Sequence, residues 1–170
     1  MTSQDIQKII FKEYYERGHC PIAGNITVPY LYEADVLSIS GTGLSYEFEI
    51  KVSKADFKKD FTKTKKHSSL RTRGLNHQNQ NTLYIPSYFF YVCPENLIDV
   101  SEIPEYAGLI YCTENGLKEI KNAPRLHTIK VGKDILDKMA RSLTEKMIYG
   151  CARMTHLNKE IQKHNALTID

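Results

Sequence analysis

Residues 45–52, Ser-Tyr-Glu-Phe-Glu-Ile-Lys-Val, alternate strictly between apolar and polar side chains. Alternation with period two is the signature of a β-strand, whose successive side chains point to opposite faces of a sheet. Tyr46, Phe48, Ile50 and Val52 therefore share one face, and Glu47, Glu49 and Lys51 share the other. Residues 33–39, Glu-Ala-Asp-Val-Leu-Ser-Ile, read as the preceding strand, and Ser40-Gly41-Thr42-Gly43 reads as a hairpin-type turn between them. Glu33, Asp35 and Leu37 lie on one face of that strand. A hairpin of this kind brings the carboxylates of Asp35 and Glu49 toward each other.

Around this hairpin the order is helix, strand, strand, helix, strand, strand, helix, which predicts a mixed α/β domain. Residues 3–17 are predicted helical, with Thr2 or Ser3 as cap, Asp5 in the first turn and Gly18 at the end. Residues 20–25 read as a turn-rich connector, and 26–32 are extended in character with Pro29 interrupting them. A helix is predicted over about 54–66, with Phe57 and Phe61 one turn apart as a narrow apolar stripe. Residues 67–81 are polar and read as a loop. Residues 82–92 are predicted to include a buried strand from about Tyr88, stopped by Pro94, and further strands are predicted over 107–112 and 117–121. A long helix runs from Ile135 to about Lys163, and its stripe of Leu136, Leu143, Met147, Cys151, Met154, Leu157 and Ile161 suits a core or a dimer seam. The chain reads as one domain over 1–170, with a core to about residue 121 and a helical extension over about 133–165.

Composition excludes more than it selects. Of 170 residues, 41% are hydrophobic and 25% charged, which excludes a mainly disordered or collagen-like chain. No apolar run is long enough for a membrane helix, and the N-terminus does not read as a signal peptide. Cys20, Cys93, Cys112 and Cys151 form no CxxC pair, and the six histidines show no metal spacing such as HExxH. The simplest location is therefore the cytoplasm, with reduced thiols.

The net charge of +3 conceals an uneven distribution. From residue 51 to 73, Lys51, Lys54, Lys58, Lys59, Lys63, Lys65, Lys66, Arg71 and Arg73 face only Asp56 and Asp60. That segment carries +7, so the remainder carries −4. Clustered Lys and Arg are the electrostatic footprint of phosphate binding, although a solvated helix face produces the same pattern. Juxtaposed carboxylates repel, and a hard divalent cation compensates them through oxygen ligands. Lys51, one pleat beyond Glu49, is placed to approach a metal-bound water or a reacting phosphate.

The ordered set of Glu33-Ala34-Asp35-Val36, a Gly-rich turn, Glu47-Phe48-Glu49-Ile50-Lys51-Val52-Ser53 and the basic helix from Lys54 resembles the PD-(D/E)XK, or restriction-endonuclease-like, nuclease superfamily. Within it the chain is most similar to small MmcB-like and Holliday-junction-resolvase-like members, over roughly residues 1–121. The resemblance implies a central mixed β-sheet flanked by helices in the order αβββαβ. It also implies metal-dependent hydrolysis of phosphodiester bonds. Asp35 and Glu49, helped by the Ile50 carbonyl, would hold Mg²⁺, for which Mn²⁺ substitutes, and Lys51 would position the attacking water. Many members place a Glu on the first helix near the metal; Glu13 is the candidate, unless the helix stripe ends before it. Ala34 stands where the motif has Pro.

The expected partner is DNA, duplex or branched, bound by Lys54, Lys58, Lys59, Lys63, Lys65, Lys66, Arg71 and Arg73, in a bacterial or phage-encoded, nucleoid-associated setting. A homodimer through the C-terminal helix is left open, and no membrane partner is expected. Two other readings stand beside the nuclease. One is a non-catalytic nucleic-acid-binding protein that keeps the fold. The other is a protein-interaction module whose basic run docks an acidic partner.

Overall fold

A computed structural model describes residues 1–27, 33–72 and 85–167, with side chains described through residue 150. Six strands form one mixed sheet in the order of the chain: β1 (Ile22–Thr27), β2 (Glu33–Ile39), β3 (Ser45–Ile50), β4 (Tyr88–Pro94), β5 (Gly108–Thr113) and β6 (Gly116–Lys121). β1, β2 and β3 pair antiparallel, β3 to β4 and β4 to β5 are parallel, and β5 to β6 is a hairpin. The helices are α1 (Ser3–Glu16), α2 (Lys54–Asp60), α3 (Thr64–Arg71) and α4 (Lys133–Leu167). The α/β class, the mixed sheet, the flanking helices and the C-terminal helix agree with the fold expected from sequence.

α1 begins where its sequence says it should. Thr2 accepts the Asp5 backbone N–H, and Asp5 returns the bond to the Thr2 N–H, a reciprocal capping box. Ile6, Ile10 and Tyr14 recur at helical spacing and are buried against Val36, Phe48, Ile50, Phe90 and Val92. Tyr14 meets Phe48 edge-on at 4.5 Å, and Phe48 stacks on Phe90 at 5.7 Å. The opposite face of the sheet packs Phe89, Tyr91, Leu109 and Tyr111 with Phe57 of α2 and Leu70 of α3. The first turns of α4 cover β1 and β2, with Met139 buried among Ala23, Leu37 and Ile39, and Ile135 and Leu143 packed beside it.

Two sequence expectations change. Residues 22–27, expected mostly as a connector, are a strand. Gly24 and Asn25 suggest a turn, yet Gly24 lies in the strand against α1, where a Cβ would meet the Gln7 side-chain amide and the Phe11 ring. Asn25 takes φ +46 within the strand, and its side chain accepts a hydrogen bond from Gln7. The single basic helix expected over 54–66, followed by a loop from 67, is instead two helices split at 61–63. Thr62 donates its hydroxyl to the Lys59 carbonyl, and the Lys63 N–H closes onto Asp60, so the chain turns and α3 starts on a new axis. Residues 67–71 therefore belong to α3. Arg73 and most of the polar run expected as a loop lie outside the described residues.

Candidate active site

β2 and β3 pair through Val36 with Phe48 and Leu37 with Glu47. Continuing that register sets Asp35 opposite Glu49. There the ladder stops, because the Ile50 N–H donates to Asp35 Oδ2 at 2.8 Å rather than to a strand carbonyl. The carboxylate of Asp35 thus caps the end of β3. Its own carbonyl accepts from Gln7 Nε2 at 2.8 Å, which ties the site to α1.

The polar face of β3 is not a solvated charge ladder. Glu47, Glu49 and Lys51 are 1%, 3% and 4% exposed. They are buried because α2 and α3 fold over that face and bring compensating charges. Lys51 Nζ donates to Glu49 Oε1 at 2.9 Å and lies 3.4 Å from Asp60 Oδ1. Lys66 Nζ donates to Glu49 Oε2 at 2.6 Å, lies 3.4 Å from Glu47 Oε1, and sits over the Phe89 ring at 4.8 Å. Lys63 reaches Glu49 Oε1 at 3.3 Å and Asp60 Oδ1 at 2.9 Å. Tyr91 donates its hydroxyl to Asp60 Oδ2 at 2.9 Å, and His67 bridges the Asp60 carbonyl and the Tyr106 hydroxyl. Asp35, Glu47, Glu49 and Asp60, with Asp56 at the exposed edge 3.9 Å from Lys51, form one cluster with the ammonium groups of Lys51, Lys63 and Lys66.

The electrostatics follow from these distances. Burial pushes the Asp35 carboxyl above the ordinary carboxylate range, and the nearby charge of Glu49 adds to it; the Ile50 N–H, Lys51 and Lys66 only partly oppose this. Burial would also raise Asp60, but His67, Lys66, Lys63 and Lys51 override it and hold that carboxyl far below the usual range. Burial would neutralise Lys66, but Glu47, Glu49 and Asp60 keep it an ammonium with a raised pKa.

Asp35 is thus the group whose ionisation the fold resists. Its stabilising contribution is complete below the ordinary carboxylate pKa and is lost as pH rises through its raised folded value. Asp35→Asn keeps an acceptor for the Ile50 N–H and removes the repelled charge. In urea unfolding it is expected to be more stable than wild type at pH 8, with the gap closing as pH falls into the carboxylate range. A wild type that is the more stable at pH 8 would contradict this assignment.

The structure therefore brings Asp35, Glu49 and Lys51 together, as the sequence suggests. It corrects two other assignments. Lys66, expected to bind DNA, is 2% exposed and held by Glu47 and Glu49. Glu13, expected near the metal, sits on the opposite face of the sheet. It accepts the Leu117 N–H at 2.7 Å and pairs with Arg17 at 2.8 Å. Gly116 makes room for it, since a Cβ there would meet Glu13 Oε1. Lys54, Lys58, Lys59, Lys65 and Arg71 are exposed, and the Lys63 side chain is half-exposed. Sequence reading missed Asp60, Tyr91, His67 and Tyr106 as members of the network. A signal for Asp60 was present: three residues after Phe57, it shares that residue's buried face.

The donor set suits a hard divalent cation. Asp35 and Glu49 offer carboxylate oxygens from adjacent strands, Ile50 adds a main-chain carbonyl, and a cation there would offset both the burial and the Glu49 repulsion that raise Asp35. Among the described residues no three His, Cys, Asp or Glu side chains gather as a metal group. Mg²⁺ does not require one, since it keeps several waters and is commonly held by one or two carboxylates with substrate phosphates.

The sequence matches no protein-family model and no curated protein. Among solved structures it is similar to a protein of unknown function from Silicibacter pomeroyi, with a TM-score of 0.65 at 15% identity, over 86% of this chain and 89% of that one. At that identity the likeness extends to the fold alone.

Proposed function

We propose that this chain is a divalent-metal-dependent nuclease of the PD-(D/E)XK kind, hydrolysing phosphodiester bonds of DNA. The observation that carries the reading is the convergence of Asp35, Glu49 and Lys51 at the ends of β2 and β3, beside the exposed lysines of α2. Asp35, Glu49 and the Ile50 carbonyl are the residues that would hold Mg²⁺ or Mn²⁺. When bound, the ion supplies Lewis-acid stabilisation of charge on the reacting phosphate and a more acidic water. Lys51, fixed between Glu49 and Asp60, holds an ammonium where the attacking water or the phosphate charge would lie. Lys54, Lys58, Lys59, Lys65 and Arg71 grip the phosphate backbone, a contact that positions substrate without reading sequence. A homodimer through α4, whose Met147, Ile148 and Tyr149 are exposed, belongs to the same proposal, because paired cuts on two strands require two sites.

The test is a panel of labelled duplex, branched and single-stranded DNA, with RNA beside it, incubated with Mg²⁺ or Mn²⁺. Metal-dependent cleavage of a DNA form supports the reading, and inertness on every form removes it. Binding is tested separately: replacing Lys54, Lys58 and Lys59 together by Ala is expected to weaken binding on all sequences and to lower the slope of log K against log salt by roughly 2–3. An unchanged slope would make this face merely solvated.

A second reading, a nucleic-acid-binding protein that keeps the fold without cleaving, is favoured by one observation. Both carboxylate oxygens of Glu49 are engaged by lysines. Tight binding without cleavage in the same panel is its signature. Among the described residues no helix is long and apolar enough to cross a membrane.

A further inference from the structure

Three ammonium groups surround Glu49, and they are not equivalent. The Lys51 and Lys66 side chains are 5% and 2% exposed, whereas that of Lys63 is 48% exposed. Lys51 is fixed by its strand. Lys66 is fixed by its helix, by the Phe89 ring and by the 2.6 Å contact to Glu49. Lys63 sits in the link between α2 and α3, at the start of α3, where it makes no side-chain capping bond. Its contact to Glu49, 3.3 Å, is longer than its contact to Asp60, 2.9 Å. It can leave Glu49 by a change of rotamer in an exposed side chain, with no movement of packed elements.

The charges give this asymmetry a meaning. Lys63 Nζ lies 3.3 Å from Glu49 Oε1, an oxygen that a cation held by this carboxylate would also use. A divalent cation bound there would lie close to the Lys63 ammonium and repel it. Lys63 and a divalent cation are therefore alternatives at the Glu49 carboxylate.

We infer that Lys63 is a displaceable stand-in for the metal: its ammonium holds Glu49 in the metal-free protein and gives up that carboxylate when a divalent cation binds. This deepens the nuclease reading and rests on it. Lys63 is then not simply one more phosphate contact on the basic face. It lowers metal affinity in the absence of substrate, and once released it lies on the side of the cluster where exposed lysines await the phosphate backbone.

The test is Mn²⁺ binding by calorimetry on the full chain without nucleic acid. Lys63→Met and Lys63→Gln, two neutral replacements, are expected to bind Mn²⁺ roughly three- to tenfold more tightly than wild type. Lys63→Arg, which keeps the charge, is expected to stay within about twofold of wild type. Thermal unfolding of the same proteins supplies a second readout: the rise in Tm caused by Mn²⁺ should be larger in the neutral variants. Neutral variants that bind Mn²⁺ no more tightly than wild type overturn the inference and leave the nuclease reading standing. Wild type that binds no Mn²⁺, or binding that survives Glu49→Gln, overturns the metal-site reading and the inference with it.

Discussion

Glu49→Gln is expected to lose Mg²⁺-dependent DNA cleavage by roughly a thousandfold or more while binding DNA at least as well as wild type. Glutamine keeps the length and one oxygen, so the side chain still fills its buried place between β3 and α3. It cannot supply the anionic oxygen that a hard cation prefers, and transition-state stabilisation by such an ion is worth several kcal/mol. Removing a negative charge behind a basic face does not weaken its hold on phosphate. Asp35→Ala is expected to lose cleavage comparably, because it removes the carboxylate proposed to share the ion with Glu49. The measurement is single-turnover cleavage of whichever DNA form the panel identifies, with binding followed in the absence of metal. Wild-type cleavage in either variant would remove this cluster as the active site.

Lys66→Ala is expected to destabilise the protein by about 3–5 kcal/mol, against changes within about 0.5 kcal/mol for Lys58→Ala on the exposed face. The reason is not that the Lys66 ion pairs are strong. Taking two ions out of water costs nearly what their attraction returns, so the intact cluster adds little net stability. Removing one member is different. It leaves Glu47 and Glu49, almost fully buried, facing each other's charge with less compensation and the Phe89 ring with a void beside it. Lys66→Met fills the void but not the charge deficit, and Glu47→Gln combined with Lys66→Met is expected to recover part of the loss. Urea unfolding of the two single variants and the double variant gives the coupling directly. A Lys66→Ala penalty below about 1 kcal/mol would mean that the charges are solvated after all.

These two expectations explain the character of the cluster. A fold selected for stability alone would place apolar side chains where Glu47, Glu49 and Lys51 stand, as Phe89 and Tyr91 do on the neighbouring strand. Buried ionisable groups with displaced pKa values are a mark of sites that do chemistry, although structural networks share it. The raised pKa of Asp35 and the strongly lowered one of Asp60 lie within one network, linked through Lys51 and Lys66. Asp60 is thereby a positioning residue for Lys51, and Tyr91 and His67 position Asp60 in turn.

How much of this is legible in the chain depends on whether the signal is local. The period-two pattern of 45–52 fixes β3 and the face on which Glu49 and Lys51 stand, because alternation is a property of the backbone and needs no neighbour. Thr2 and Asp5 fix the start of α1, since a capping box closes within one turn. The hairpin after Ile39 fixes the approach of Asp35 to Glu49. By contrast, β1 is concealed, because Gly24 and Asn25 carry turn signals although both lie in a strand beside α1, Asn25 at positive φ and accepting from Gln7. The break at 61–63 contains neither Gly nor Pro, so nothing local announces it. Glu13 is legible as a helix residue at the edge of the apolar stripe, but neither its orientation nor the side of the sheet that α1 covers is.

The sequence by itself determined the strand that carries Glu49 and Lys51, the carboxylate facing it and the basic block that follows, because each is set by residues a few positions apart. Only the tertiary structure decided which lysines meet solvent and which meet the carboxylates. Lys63, Lys65 and Lys66 are near neighbours in the chain, yet Lys66 is buried on Glu49, Lys63 straddles the edge of the cluster and Lys65 is exposed. The physical reason is the turn between α2 and α3. By re-aiming one helix it converts part of a uniformly basic segment into the counter-charge of a buried acidic strand, and burial depends on what packs over a residue rather than on its neighbours in sequence.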